Sequence, residues 1–518
     1  MKTSTTFPVF SLLALLAACK PEPATQPPTQ PEPPAPVVVA QPQPTPEPAL
    51  PPAVWPDEPY RATRPTPGPV AELKLPKIES FKLDNGLEVF LVRNDRLPTV
   101  LMNFEFDFGS VSDPKGQIGL HSLCMDLLDE GTAKLDKVAF EEKQADHAVG
   151  VSAFGGSDTS GMSVRSLKRE LPAALDLLAE MLREPGLRQA DFDRLKERRK
   201  ASILQSKGSP GTIGMRVAGP LLWGEGHPYG RIETEQTIDA LKLDDCKKVV
   251  AKIKPGGGRL WVVGQITPEE IKQELAARLP EWKGKAPAKA AVGPAKPQLG
   301  KIFFVHVKDA PQSSVYVGQA GPKRGAADFE ATDLMAEILG GSFSSRINMN
   351  LREDKGITYG SRAGFNYRRP GSTFTASGQI RTDGTALALR EISKEIATMR
   401  TTDAKPDELF RVQEGALMAL PAEFDTPSAI LGAFQRLKFY GLPLDWYDGH
   451  QKRLKAVDIA AIRKAAEKHL RAKDFVVLVV GDGSKLLGDL DLIAAEKLFG
   501  GGGVVVLDAD GQPAKRPE

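Results

Sequence analysis

Two stretches of this chain recur. Val89–Val92 followed by Pro98 returns as Ile302–Val307 followed by Pro311. Leu260–Val263 closed by Gly264 returns as Phe475–Val480 closed by Gly481. Pro311 lies 213 residues after Pro98, and Gly481 lies 217 after Gly264. Two nearly equal offsets, far apart in the chain, predict a duplicated unit. Each copy mixes short β-rich runs with segments of helical period, so the expected class is α+β with two tandem homologous domains. Ala286–Pro297, rich in Ala, Lys, Gly and Pro, is the expected linker.

The 518 residues exceed what one ordinary core holds, in keeping with two domains. Lys and Arg total 68 against 66 Asp and Glu, well mixed, which argues against a nucleic-acid footprint. Residues 1–19 form a targeting segment: Lys2, an apolar run from Phe7 to Ala18 too short to span a bilayer, then Leu16-Ala17-Ala18-Cys19. That tetrad resembles a bacterial lipobox, implying cleavage before Cys19 and acylation of its thiol. Lipid then anchors the chain at roughly 0.8 kcal/mol per buried CH₂. Lys20 after the cysteine suggests the outer membrane of a bacterial envelope, facing the periplasm. Residues 20–76 are rich in Pro, Gln, Glu and Ala and poor in large apolar residues, the composition of an unfolded, stiff spacer. The domains are then expected at 77–285 and 298–499, leaving a tail, 500–518, to which the residues assign no role. Cys124 and Cys246 could pair in an oxidising compartment, but the expectation is a buried free thiol at each.

Within the first copy, Phe81 to Val89 reads as strand, Asn85-Gly86 turn, strand. Strand continues to Val92 and again from Thr99 to Phe108. Gly150–Val164 is β-rich, Leu171–Glu184 has helical spacing, and a helix runs from Asp191 to about Ser206. Thr267-Pro268-Glu269-Glu270 opens another helix, with Thr at the cap and Pro in the first turn.

The stretch with chemical content is Gly119-Leu120-His121-Ser122-Leu123-Cys124-Met125-Asp126-Leu127-Leu128-Asp129-Glu130-Gly131-Thr132. It resembles the inverted zinc motif of the M16 (pitrilysin/insulinase-like) metallopeptidases, H-x-x-E-H followed by Gly-Thr. Two histidines four apart on one helix face grip a zinc ion, and the carboxylate between them takes a proton from the bound water. Here His121 holds the first ligand position, Cys124 the base position and Met125 the second ligand position. A thioether suits Cu(I) better than Zn²⁺. A cysteine cannot replace the carboxylate base. The family's third ligand, an acid seven residues after a Glu-Arg pair, falls on Leu204 after Glu197-Arg198. His147 is the only spare histidine nearby. No functional metal is expected on this chain.

The resemblance spans roughly Phe81 to Leu498. It is carried further by Asp84-Asn85-Gly86-Leu87, Phe108-Gly109-Ser110, His227-Pro228-Tyr229-Gly230, Ile338-Leu339-Gly340-Gly341-Ser342-Phe343-Ser344-Ser345-Arg346 and Leu351–Tyr359. It implies two tandem M16 domains of the LuxS/mitochondrial processing peptidase-like fold, forming half of a clamshell. Arg352 and Tyr359 match the family's Arg/Tyr pair, implying a clamp on the oxyanion of a cleaved peptide. Ser152-Ala153-Phe154 match the edge strand along which the family lays its peptide, with Ser152 where Asn is usual. Some family members divide the work between two chains, one with an intact H-x-x-E-H and one supplying Arg and Tyr. This sequence resembles the second kind, which implies a zinc-bearing M16 partner and a peptide substrate. The alternatives are a binding or scaffold protein that uses the clamshell without chemistry, and a hydrolase built on Cys124 and His121. No G-x-S-x-G elbow is present.

Overall fold

A computed structural model describes residues 58–63, 68–70 and 72–517. Cys19 and most of the Pro-rich run lie outside the described residues. The chain divides between Gly68 and Pro69. Among the described residues of the first unit there is a single 3-10 turn, Pro59–Ala62. Both sheets and every candidate site residue among the described residues belong to the second unit.

Among the described residues, twelve strands build two six-stranded sheets. The first six are β1 (Ile78–Lys82), β2 (Glu88–Arg93), β3 (Thr99–Phe106), β4 (Gly150–Gly155), β5 (Ser160–Leu167) and β6 (Arg259–Gly264). The others are β7 (Lys301–His306), β8 (Gln312–Gly321), β9 (Thr358–Arg368), β10 (Gly371–Arg381), β11 (Val476–Gly481) and β12 (Val504–Leu507). The orders are β1-β2-β6-β3-β5-β4 and β12-β7-β11-β8-β10-β9. Five strands correspond one to one, in the same directions. In both sheets the strand after the recurring proline lies antiparallel to the Gly-closed strand, which lies parallel to the first. The sixth strand differs. β1 is the antiparallel arm of an N-terminal hairpin, whereas β12 comes from the C-terminal end and pairs parallel with β7. The segment 500–518, without a role in the sequence, thus contributes a strand to the second sheet.

Both faces of each sheet are covered, which is why the central strands are apolar without alternation. In β2, Val89 and Leu91 face one core and Phe90 and Val92 the other. The first core packs against helices Leu120–Leu128, Leu171–Arg183, Leu243–Val250 and Pro268–Arg278. The last opens with the expected Thr cap, which Glu270 completes as a capping box: Thr267 Oγ1 accepts from Glu270 N–H, and the Glu270 carboxylate accepts from Thr267 N–H. The outer faces are covered reciprocally. Helix Pro210–Trp223 of the first half lays Ile213, Val217 and Leu221 on Phe303, Val305, Val476 and Leu478 of the second sheet. Helix Pro427–Tyr440 of the second half lays Ile430, Leu431, Phe434 and Leu437 on Phe90, Val92, Trp261 and Val263 of the first. Each such buried large side chain contributes roughly 1.5–3 kcal/mol, so neither sheet is complete without the other half.

A buried ionic network adds a second tie between halves. Arg259 donates to Glu105 at 2.5 and 2.9 Å and to Asp107 at 2.6 Å. Arg369, in the β9–β10 turn of the other half, also binds Asp107. Gln435 of the Pro427–Tyr440 helix donates to Glu105 at 3.1 Å. Burial would raise the Asp107 carboxyl, but Arg259 and Arg369 outweigh it and hold it at about 2.

The free-thiol expectation is overturned: Cys124 and Cys246 form a disulfide between helices Leu120–Leu128 and Leu243–Val250. The two helices pack face to face and bring the Cα atoms to 4.9 Å, a proximity that no sequence spacing of 122 residues reveals.

Candidate functional site

Helix Leu120–Leu128 is apolar nearly all round, so it sits inside the core. Gly119 enters it at φ 98°, and a Cβ there would also lie 2.9 Å from Ile238 Cδ1. The buried Asp113 carboxylate satisfies its first turn, accepting from the N–H groups of Gly119 at 2.9 Å and His121 at 3.1 Å. The same carboxylate binds His121 Nδ1. His121, Cys124 and Met125 are all buried, at 1%, 0% and 0% exposure.

The donor set does not suit zinc. His121 offers one ring nitrogen, Nε2, which is buried and without a partner. Cys124 is spent in the disulfide and presents no thiolate. Met125 packs on β4, where a Cβ at Gly155 would lie 3.2 Å from it. Leu204, at the third-ligand position, is 67% exposed. A zinc ion in such a motif ties its helix to the helix that carries the third ligand. Here guanidinium groups span that gap. Arg199 donates to Ser122 Oγ at 2.6 Å and to Asp126 at 3.0 Å, and Arg194 donates to Glu130 at 2.5 Å. Burial raises the Asp126 carboxyl even with Arg199 and Arg198 acting to lower it.

Beside this helix runs the edge strand β4. Its outward amides are engaged from within: Val151 N–H donates to Gln144 Oε1 at 2.6 Å and Ala153 N–H to Asp129 Oδ1 at 2.9 Å. Between them Ser152 is exposed, and Phe154 is half-buried. A peptide adding to this edge has to displace both side chains.

The second half is arranged the other way. Arg352 lies on a wide π-type turn, Met349–Asp354, and Tyr359 on β9. Such turns recur at functional sites. Tyr359 is 88% exposed and Phe343 57%. The Arg352 guanidinium stands 4.6 Å over the Phe343 ring, with Nε 3.2 Å from Glu353. Beneath them the frame is rigid. Arg346 makes a bidentate pair with Glu408 at 2.8 and 2.7 Å. Asn350 donates to Glu391 and Glu395, each at 2.8 Å. Buried Asn348 donates to the Phe343 carbonyl at 2.6 Å and accepts from Ser361 N–H at 3.0 Å, joining the Phe343 loop to the strand of Tyr359. Gly340 presses on the same strand; a Cβ there would fall 2.2 Å from Ala363 N.

Phe343, Asn348, Arg199 and the Asp107–Arg369 tie were not foreseen as parts of a site. Phe343 lies inside the Ile338–Arg346 run, and a polar pair such as Asn348 and Asn350 among apolar residues was the available signal.

Fold and site together define a two-domain α+β protein of the zinc-peptidase clamshell kind in which the side chains at the motif positions do not suit zinc. Family models agree. "Insulinase (Peptidase family M16)" matches residues 89–208, and "Peptidase M16 inactive domain" matches residues 253–415. The chain belongs to peptidase family M16. Among curated relatives, it is 22% identical over 408 residues to a Helicobacter pylori protein named "Non-peptidase homolog YmxG", covering 77% of this chain and 92% of that one. It is 24% identical over 357 residues to a Bacillus subtilis protein named "Uncharacterized zinc protease YmxG", covering 66% and 84%. A crystal structure described as a peptidase M16 inactive domain from Pseudomonas fluorescens superposes with a TM-score of 0.71 at 24% identity, covering 78% of this chain and 98% of that one. A protease structure from Helicobacter pylori gives 0.69 at 19%, covering 78% and 100%.

Proposed function

We propose that this chain is the zinc-free subunit of a two-chain M16 peptidase. It presents Arg352 and Tyr359 to a partner that carries an intact H-x-x-E-H, and the partner supplies the metal and the water. Arg352 and Tyr359 donate hydrogen bonds to the peptide carbonyl oxygen as it gains charge, and the fixed frame beneath them keeps reorganisation small. No nucleic acid is involved. A lipid on Cys19 tethers the assembly in the bacterial envelope, at the periplasmic face of the outer membrane, and the Pro-rich run spaces it from the surface. No helix among the described residues is long and apolar enough to cross a membrane.

One observation carries the reading: the vestigial metal position is buried and braced, while Tyr359 stands 88% exposed on a rigid mount. A tyrosine so exposed does no work in the chain's own core. Mixing the chain with the zinc-bearing partner and a quenched peptide tests it. Arg352→Ala is expected to lower turnover about a hundredfold and Tyr359→Phe about tenfold. Unchanged turnover in both variants removes the catalytic role. The engaged amides of β4 favour a second reading, a scaffold that binds without chemistry. In that case the two variants assemble and behave as the native chain.

A further inference from the structure

Arg352 is a long side chain near the surface, and such a side chain ordinarily samples many rotamers. It meets the carboxylate next to it in sequence, Glu353, and the face of Phe343. The Phe343 ring is itself 57% exposed, so core packing does not explain where it stands. Its backbone does. The Phe343 carbonyl receives the Asn348 amide at 2.6 Å, the neighbouring turn is closed by Ser345 Oγ on the Ser342 carbonyl at 2.6 Å, and Arg411 reaches the Ser344 carbonyl at 3.4 Å. Asn348 is 4% exposed, and its amide oxygen takes the Ser361 N–H, two residues beyond Tyr359. One buried amide therefore spaces the loop that carries the ring against the strand that carries the phenol.

We infer that Phe343 is a positioning residue for Arg352, an inference that rests on the proposed role of the Arg/Tyr pair. The π face attracts the guanidinium and removes the arcs that point away from the ring. Asn348 ties the loop of the ring to the strand of Tyr359, so the surface on which Arg352 leans is fixed relative to that strand. Phe343 touches no reacting atom. It acts by raising the fraction of time Arg352 is ready to donate.

The test is a double-mutant cycle in the mixture with the zinc-bearing partner, read with an internally quenched peptide. Phe343→Leu keeps an apolar side chain of similar bulk and removes the π face. It is expected to lower kcat about threefold with KM within about twofold, and Phe343→Trp to restore it. In the Arg352→Ala background, Phe343→Leu is expected to add nothing. An equal loss in both backgrounds, or no loss beside an active native chain, overturns the positioning role and leaves Arg352's own role standing. If Arg352→Ala is silent, the proposed function fails instead. A readout that needs no partner separates these cases. The Arg352 Cδ protons of the native chain are expected to carry an upfield ring-current shift, lost in Phe343→Leu and kept in Phe343→Trp. A native spectrum without that shift overturns the inference whatever the fate of the peptidase reading.

Discussion

The two halves share five corresponding strands and differ in how they use the helices and turns around them. In the first, the helix that resembles a zinc motif is tied down on every side: by Asp113 at its start, by the Cys124–Cys246 disulfide across its core face, and by Arg199 and Arg194 toward helix Gln189–Ser206. In the second, the corresponding region ends in π-type turns, and its aromatic and cationic side chains project outward over a hydrogen-bonded frame. One half buries the residues at the zinc-motif positions in its core. The other leaves Tyr359 and Phe343 exposed at the surface. A duplicated fold thus divides stability and presentation between its copies.

If the first half is held by its locks, breaking the strongest should have the largest effect. Replacing Cys124 and Cys246 together by Ala opens a loop of 122 residues. The expected loss is roughly 4–5 kcal/mol of stability in urea unfolding, because the denatured chain regains that loop's freedom. A change below about 1 kcal/mol would show that the helix needs no staple.

The tie between halves comes next. The Asp107 pKa in the folded chain lies at about 2, below its ordinary value of 3.8. A depressed carboxyl stabilises the fold at pH values above the ordinary pKa, and that stabilisation disappears as pH falls from about 5 toward 2. About 2 kcal/mol is at stake. Asp107→Asn is expected to lower stability by that amount at pH 7 and to flatten the acid limb of a stability–pH curve. An unaltered acid limb would mean that the pairing of Asp107 with Arg259 and Arg369 adds nothing to stability.

The smallest effect belongs to the guanidinium brace. Arg199 and Asp126 are each partly open to water, so Arg199→Met should cost about 1 kcal/mol or less. A loss several times larger would make the brace a principal tie between the two helices rather than a surface ion pair.

Much of this was legible in the residues alone. The duplicated offsets and the Thr267 cap depend on residues close together in sequence or on a repeat visible within it, and the family membership on short runs that resemble M16 motifs. What escaped depends on distance in space. The cysteine pairing needed two helices packed face to face. The role of residues 504–507 needed the open edge of β7, and the apolar Val504–Leu507 run alone could not name its neighbour. The exchange of Pro210–Trp223 for Pro427–Tyr440 rests on contacts between residues far apart in the chain. The capping of β4 by Gln144 and Asp129 qualifies the Ser152–Phe154 edge in a way no residue pattern could.

The central claim is that this polypeptide has no metal chemistry of its own. It is tested most directly by washing the isolated chain with chelator, reloading it with zinc, and measuring bound metal and peptide cleavage on the same sample. The account predicts far less than one zinc per chain and no cleavage. One tightly held zinc per chain, together with unaided hydrolysis, would contradict it.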